Sequence, residues 1–506
     1  MPSIHIMARD SPDPLDQDAL IFNADTPGTV TDGFQEALEE ANRSGLSARV
    51  HPGHYAIRVP VHLPSGVTID LDDPSFTVAG PMPIFTGTGI KDVTLRGRFS
   101  WDSREQPTPG ISLDHVRGLT LDIEGAVKGV PVGRTWLRLL SSSAIRIEGH
   151  LQSQDSKLLT LMSCNDVEIS GVEVHLTRDL GAAPISLTGL PGESFQNAFL
   201  HDLLIDGGGC CLGPGLVVRV DAGVPEARNI RIERIFVHDT RGPGDGIDLQ
   251  RVASSSVSRC YFLRTGDGLS LVGHQIRAEG IWSEDTRAEG VAVGDGSPSY
   301  MSEDTYDILV RRCLSVGCGT SGFPQDQVFH RAGFTVLAPT PRRAHHILFE
   351  ESASIPKGVT RLGIGMMGNL SDVRFREGLL AGLTAPSGGP VAAPSLTLEE
   401  MAPLAPGGGL PIREVKVCGD ELLENSLSRD IVVWTLCSRS GTIPGEATVS
   451  AWVGGQSRLE MKERLSIPAR VPAQITVPFS VRIPTGGIYE FRTEGVNLLG
   501  GWEVTL

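Results

Sequence analysis

Residues 241–250 read RGPGDGIDLQ, residues 264–273 read RTGDGLSLVG and residues 286–295 read TRAEGVAVGD. Across these segments Asp245, Asp267 and Glu289 recur at a spacing of 22 residues. Each acid is followed by glycine (246, 268, 290) and then by Ile247, Leu269 or Val291. A second apolar residue follows two places on, at Leu249, Leu271 or Val293. Arg241, Arg264 and Arg287 precede the acids by two to four places.

A repeat of this length suits one coil of a parallel β-solenoid, a unit that buries its apolar face only by stacking on its neighbours. Equivalent positions on successive coils then pair as strands about 4.8 Å apart, so the three acids are predicted to form a column. Like charges in such a column are costly unless they are solvated, paired or used.

The rest of the chain extends the pattern. From about 66 to 385, short apolar strands such as VTLRG, IRIEG, VEISGVEV and IRIERIFV alternate with polar or Gly-rich corners. Each is followed by a second strand, as in GISLDH, WLRLLS, PISLTG and GFTVLA, which predicts roughly eleven coils. Upstream, TDGFQEALEEANRSGL predicts a short helix. Asp32 is its expected N-cap, with Gln35 completing a capping box; Phe34, Leu38 and Ala41 share its apolar face, and Gly45 is the expected stop. Such a helix would close the open end of a solenoid. Residues 1–30 read as an irregular lead-in, 31–385 as the solenoid and 386–412 as a Pro/Gly-rich linker. Residues 413–506, with EVKVCG, DIVVWTLC, ATVSAWVGG and QITVPFSVRI, read as an antiparallel β-sandwich, an accessory binding module or a cap on the last coil.

Composition narrows the class. With 60 glycines and 5% aromatic residues the chain suits many tight corners, and its 506 residues suffice for more than one domain. A net charge of −16 argues against nucleic acid and anionic membrane as partners. The eight cysteines match no zinc spacing and read as buried thiols, with Cys418 and Cys437 close enough in sequence for a pairing within the last domain. No apolar leader or membrane-spanning run is present, so the chain as given is expected to be cytoplasmic, or secreted if a leader has been removed.

Two carboxylates facing one bond are what glycoside hydrolysis requires, one protonated to assist the leaving group and one ionised to attack or to activate water. The column offers Asp267 with Asp245 or Glu289 as that pair. The arginines are expected either to hold an anionic group of the substrate or to neutralise the acids. His274, His330 and Arg331 are further substrate-binding candidates, while Tyr300, Glu303, Asp304 and Asp326 on the long insertion 296–331 read first as surface residues. Asp-Gly is also a common turn dipeptide, and Gly-Asp-Gly occurs three times (244–246, 266–268, 294–296), so plain corner residues are the alternative to catalysis.

The helix, the HPGHYAI stretch (51–57) with LPSGVTIDLD (63–72) after it, and the coils together resemble the pectate-lyase-like right-handed parallel β-helix superfamily. The 245–290 stretch is similar to polygalacturonase-type glycoside hydrolases. Asp245-Gly246 falls on their first motif, Asp267 on the second aspartate of their paired-Asp segment, and Glu289-Gly290 on their His-Gly. Gly266 stands where the first paired aspartate would be, and Glu289 where the histidine would be. The resemblance implies an all-β right-handed parallel β-helix and a carbohydrate-active enzyme that cleaves or transfers glycosidic bonds. An oligosaccharide or polysaccharide would be the substrate, with no cofactor and no metal, and homo-oligomerisation stays open. Fructan-processing fructotransferases share the fold, which leaves transfer open. Two other readings remain: a uronate lyase or epimerase working through Arg and His, with calcium on the acids, and a non-catalytic polysaccharide-binding solenoid.

Overall fold

A computed structural model describes residues 3–505 apart from 12–19, 79–81, 103–109, 129–134, 155–156, 212, 241–243, 296–302, 320–331, 356, 358–361, 381–395, 400–411, 416–421, 425–429, 440–445, 456–457 and 469–474. The chain is mostly strand, with a large parallel sheet, smaller antiparallel sheets towards the C-terminus and one helix near the N-terminus, a solenoid-like arrangement. It divides into two compact units, Met1–His201 with Ile205–Ala227, and Asp202–Leu204 with Arg228–Leu506.

In the first unit the helix spans Phe34–Ser44 and buries Phe34, Ala37, Leu38 and Ala41, the face its spacing predicts. Gly45 ends it in the left-handed conformation (φ 66°), where a residue without Cβ carries no steric cost. The start differs from expectation. Asp32 is not the N-cap: Gly33 holds that place with no side-chain cap. Thr31 Oγ1 instead accepts from the Gln35 amide (3.0 Å), because Asp32 and Gly33 both turn through positive φ. Gln35 reaches sideways, its Oε1 accepting from the His62 amide (2.8 Å), and so ties the helix to the strand Val61–His62. The segment expected to be an irregular lead-in also carries structure, since Ser3–Ile6 pairs in parallel with Leu20–Phe22 and with Ser47–Val50.

Beyond the helix, strands stack residue on residue. Ile111 pairs with Leu137, Leu137 with Leu159, Leu159 with Ile185 and Ile185 with Leu216. Each short strand alternates buried and half-buried positions, so one face fills the interior and the other meets solvent.

The second unit continues the same coil logic with a change. Ile247 pairs with Leu269, then Val291, Phe334 and Ile364. Here both faces are buried: the outward residues Asp248, Ser270, Ala292 and Thr335 are enclosed along with the inward Ile247, Leu269 and Val291. Corners are made by stacked left-handed residues. Asp239, Arg264, Asp285 and Gly317 all have φ between 51° and 65°, a conformation that Asp tolerates better than most residues.

The C-terminal strands form two four-stranded antiparallel sheets. Their apolar residues share one core with an outward row of the coils: Phe236, Tyr261, Trp282, Leu314, Ala353 and Leu379, each in register with the next. The sheets therefore lie along a flank of successive coils, where a cap would have covered only the last one. Trp434 Nε1 donates to the Arg312 carbonyl (3.2 Å), and Arg482 pairs with Glu351 (2.9 Å) and Glu377 (2.6 Å) across the same seam. Most of 386–412 lies outside the described residues, yet Leu396–Glu399 pairs with Leu370–Arg376 and so adds a strand where a linker is predicted. Cys437 is a buried free thiol and Cys418 lies outside the described residues. No described helix is long and apolar enough to cross a membrane.

Candidate active site

Asp245, Asp267 and Glu289 stand two residues before the stacked Ile247, Leu269 and Val291, so strand register brings them into one column. Backbone hydrogen bonds fix that column: Gly246 N donates to Asp267 O (2.8 Å) and Gly268 N to Glu289 O (2.9 Å). Side chains then link the coils. Asp245 Oδ1 accepts from the Asp267 amide (3.4 Å), and Asp267 Oδ1 accepts from the Glu289 amide (3.2 Å).

The glycines after the acids are not turn residues in the left-handed region. They are places where no Cβ fits. A Cβ on Gly268 would fall on Ser283 Oγ and on the Gly290 carbonyl, and one on Gly290 would meet Ser315 Oγ at 2.5 Å. The interior serines Ser283, Ser315 and Ser354 form their own ladder, and Ser283 Oγ donates to the Gly290 carbonyl (2.7 Å). The glycines after the acids are thus close-approach positions, where neighbouring coils leave no room for a Cβ.

Behind the acids lies a threonine row not anticipated from the sequence. Thr240 Oγ1 donates to Gly244 O (2.5 Å), Thr265 Oγ1 to Asp267 O (2.7 Å) and Thr286 Oγ1 to Ala288 O (3.0 Å). The threonines recur 25 and 21 residues apart, a signal present in the sequence but obscured by the changing offset to each acid.

Burial sets the electrostatics. Glu289 is 1% exposed. Burial first, with the Asp245 charge adding, pushes its carboxyl up to about 7, against hydrogen bonds from Asp267, its own amide and Thr335. Asp245 keeps part of its surface open but is otherwise surrounded by protein. Burial, then the charges of Asp267 and Asp248, raises it well above the usual carboxylate range. Asp248, Asp295 and Thr335, none of them a candidate from the sequence, therefore belong to the surroundings of the site.

Of the arginines expected beside the acids, one has a described side-chain partner. Arg264 forms a two-pronged pair with Asp239 (Nε–Oδ1 2.5 Å, Nη2–Oδ2 2.7 Å), which lowers Asp239 below its ordinary range. Arg287 is exposed, and Arg241 lies outside the described residues. His274 follows the bend at Gly273 and stacks on Tyr306 (4.7 Å between centroids), which stacks on His345 (5.2 Å). Glu303 pairs with Arg251, and Asp304 Oδ1 accepts from the Arg343 amide (2.9 Å). Tyr300, Asp326, His330 and Arg331 lie outside the described residues.

No protein-family model matches the chain, and no curated protein matches it. Among solved structures it is similar to the A-module of the mannuronan C-5 epimerase AlgE6 of Azotobacter vinelandii, at 11% identity over 73% of this chain and 94% of that one, TM-score 0.40. It is similar to PfbA, a surface adhesin of Streptococcus pneumoniae, at 12% identity over 75% and 91%, TM-score 0.42. It is also similar to a mutant tailspike protein of E. coli bacteriophage HK620 in complex with a pentasaccharide, at 9% identity over 97% and 92%, TM-score 0.43. All three likenesses are distant, and the chemistry is argued from this chain's own residues.

Proposed function

We propose that the chain is a carbohydrate-active enzyme that cleaves or transfers glycosidic bonds, built as a right-handed parallel β-helix over residues 31–385 with a C-terminal β-sandwich. The single observation that supports this most is the column itself: three carboxylates linked coil to coil, in which Asp245 and Glu289 are raised while the charge of Asp267 acts on Asp245. Neighbouring carboxyls whose proton affinities are pushed up by burial and by one another are the kind of pair that glycoside cleavage uses.

In this reading Asp245, partly open to solvent and raised, gives its proton to the glycosidic oxygen as the bond to the anomeric carbon breaks. Asp267, partly open beside it, attacks that carbon or takes a proton from the water that does. Glu289, sealed from solvent on the next coil, shares a hydrogen bond with Asp267, so it positions that carboxylate and holds a proton near it. Asp245 and Asp267 sit one coil apart, a spacing of about 5 Å that suits retention, whereas inversion would call on the wider pair Asp245 and Glu289. The engagement of Arg264 with Asp239 withdraws one cation that a uronate lyase would turn to the substrate carboxylate, while Arg287 is exposed.

The test is mass spectrometry of products from a mixed panel of neutral, amine-bearing and uronate oligosaccharides in ¹⁸O-water. Label in a shortened product is the expected result for hydrolysis, and shortened and lengthened products without label would mean transfer. An unsaturated product would overturn the reading in favour of elimination.

A further inference from the structure

A polar cleft runs along the seam where the C-terminal sheets meet the coils. One cavity of about 360 Å³ lies between the coil corners at Ser258, Arg259, Glu279 and Gly280 and the strand Thr476–Ile483, which brings in Phe479 and Ser480. A second, of about 620 Å³, meets it at Arg312 and Glu463 and continues past Lys462, Arg482 and Thr485. Both have the size of small-ligand sites. Arg259 and Gly280 come just before the strands Tyr261–Leu263 and Trp282–Glu284, whereas Asp267 and Glu289 come after them. Cleft and acid column thus lie at opposite ends of the same short strands.

Three arginines (231, 259, 312) and three glutamates (233, 279, 463) line the first cavity, so the charges balance. Their pairing leaves hydrogen-bonding capacity over. Arg259 is about a third exposed, and its one side-chain bond to a described residue runs from Nη1 to Glu233 Oε1 at 3.4 Å. Glu279 Oε2 accepts from Arg277 (3.0 and 2.6 Å), while its Oε1 stands 3.9 Å from Arg311, too far for a hydrogen bond. Glu463 Oε1 accepts from Arg312 Nη1 (2.8 Å), and no described bond reaches Oε2. Ser258 and Ser480 add hydroxyls from the two sides.

We propose that this cleft is a second, non-catalytic binding site for a neutral saccharide chain. The inference goes beyond the glycosidase reading, because the ligand class is read from the cleft's own lining. Spare N–H donors and spare carboxylate acceptors stand around one cavity. A sugar hydroxyl both donates and accepts, so neighbouring hydroxyls of one ring engage a guanidinium and a carboxylate together. A ligand with donors alone or acceptors alone would satisfy half of the lining. A uronate carboxylate would meet Glu279 and Glu463 in the same cavity, with no net positive charge to draw it in. The continuation past Arg312 and Glu463 gives room for further sugar units. A polymer held here keeps its other segments near the column at a raised effective concentration.

The experiment is hydrogen-exchange mass spectrometry of the full chain. The probes are neutral glucose-, galactose- and mannose-based oligosaccharides and galacturonate oligosaccharides of matched length. Peptides over the cleft (256–260, 277–281, 476–482) and over the column (245–249, 267–271, 289–293) report separately. At least one neutral probe is expected to protect the cleft peptides. Arg259→Met and Glu279→Ala are each expected to raise the half-protecting concentration at least about fivefold, with protection of the column unchanged. Both side chains are about a third exposed, and Arg231 and Arg234 still hold Glu233 in the first variant, so both variants are expected to fold. The unsubstituted protein's preference for neutral probes at the cleft is a readout that needs no variant. Cleft protection unchanged in both variants, galacturonates that protect the cleft at lower concentration than any neutral probe, or no cleft protection at all would overturn the proposal. Cleft protection without turnover of any probe would remove the glycosidase reading and leave this site standing.

Discussion

The backbone amide of Glu289 donates to Oδ1 of Asp267 at 3.2 Å, one coil to the next, and the Glu289 carboxyl returns to the same side chain. Asp267 is thereby gripped from above by the residue that follows it in the column. From below, its own amide is held by Asp245 Oδ1. A corner aspartate exposed to water would have neither constraint. The grip fixes the Asp267 carboxylate in one orientation, which is what a nucleophile or base needs to meet a bound carbon or water.

Asp267→Asn keeps an oxygen for the Glu289 amide and removes the charge. The fold is expected to persist, with unchanged circular dichroism and a melting temperature within a few degrees. Activity is expected to fall by about 10²–10⁴, the usual scale for loss of a positioned acid–base group. Release of new chain ends on the active oligosaccharide measures it, and retention of full rate would remove Asp267 from the mechanism.

Glu289 makes a pH signature. Its folded-state value, about 7, lies above its ordinary 4.5, so the folded protein binds that proton more tightly than the unfolded chain does. Its contribution to stability is then full below about 4.5 and lost as pH climbs through about 7, an effect of about 3 kcal/mol at most. Glu289→Gln keeps a donor towards Asp267 and is expected to flatten the pH 5–7 slope of urea stability, leaving the part due to Asp245. The rate of the unsubstituted protein is expected to fall as pH rises through about 7, where Glu289 loses its proton, and Glu289→Gln is expected to remove that fall; a parallel slope in both proteins would refute the assignment.

Arg264→Ala separates the chemistries. The arginine is more than half exposed and pairs with Asp239, so its loss is expected to cost about 0–1 kcal/mol and to leave the rate within about threefold. A drop of a hundredfold, by the same product assay, would make the lyase reading the better one.

Gly268→Ala tests the close-approach explanation of the Asp-Gly pairs. The added Cβ would strike Ser283 Oγ and the Gly290 carbonyl, and the second of these is backbone that cannot swing away. A loss of about 1–3 kcal/mol is expected by urea unfolding, with a fall in rate as the acids shift. Alanine tolerated without change would return the dipeptide to an ordinary turn.

The column was legible in the sequence because parallel pairing turns a spacing of 22 residues directly into stacking, and apolar positions two and four places on give the register. The helix face and its Gly45 stop were legible for the same local reason. Its cap was not, because the paired positive-φ turn at Asp32 and Gly33 hands that task to Thr31. The sequence alone also determined the alternation that makes coils, since each strand's period decides which side chains face inward. Tertiary structure decided what surrounds the acids. Arg264 and Asp267 are near in sequence, but the stacked left-handed corner aims the arginine at Asp239. Asp248 and Gln250 look like solvent-facing strand residues until the coils enclose them, and the pKa of Glu289 depends on burial by residues far along the chain. Spacing along the chain fixes which residues stack, whereas charge state depends on everything within a few ångströms, and only the assembled coils set that.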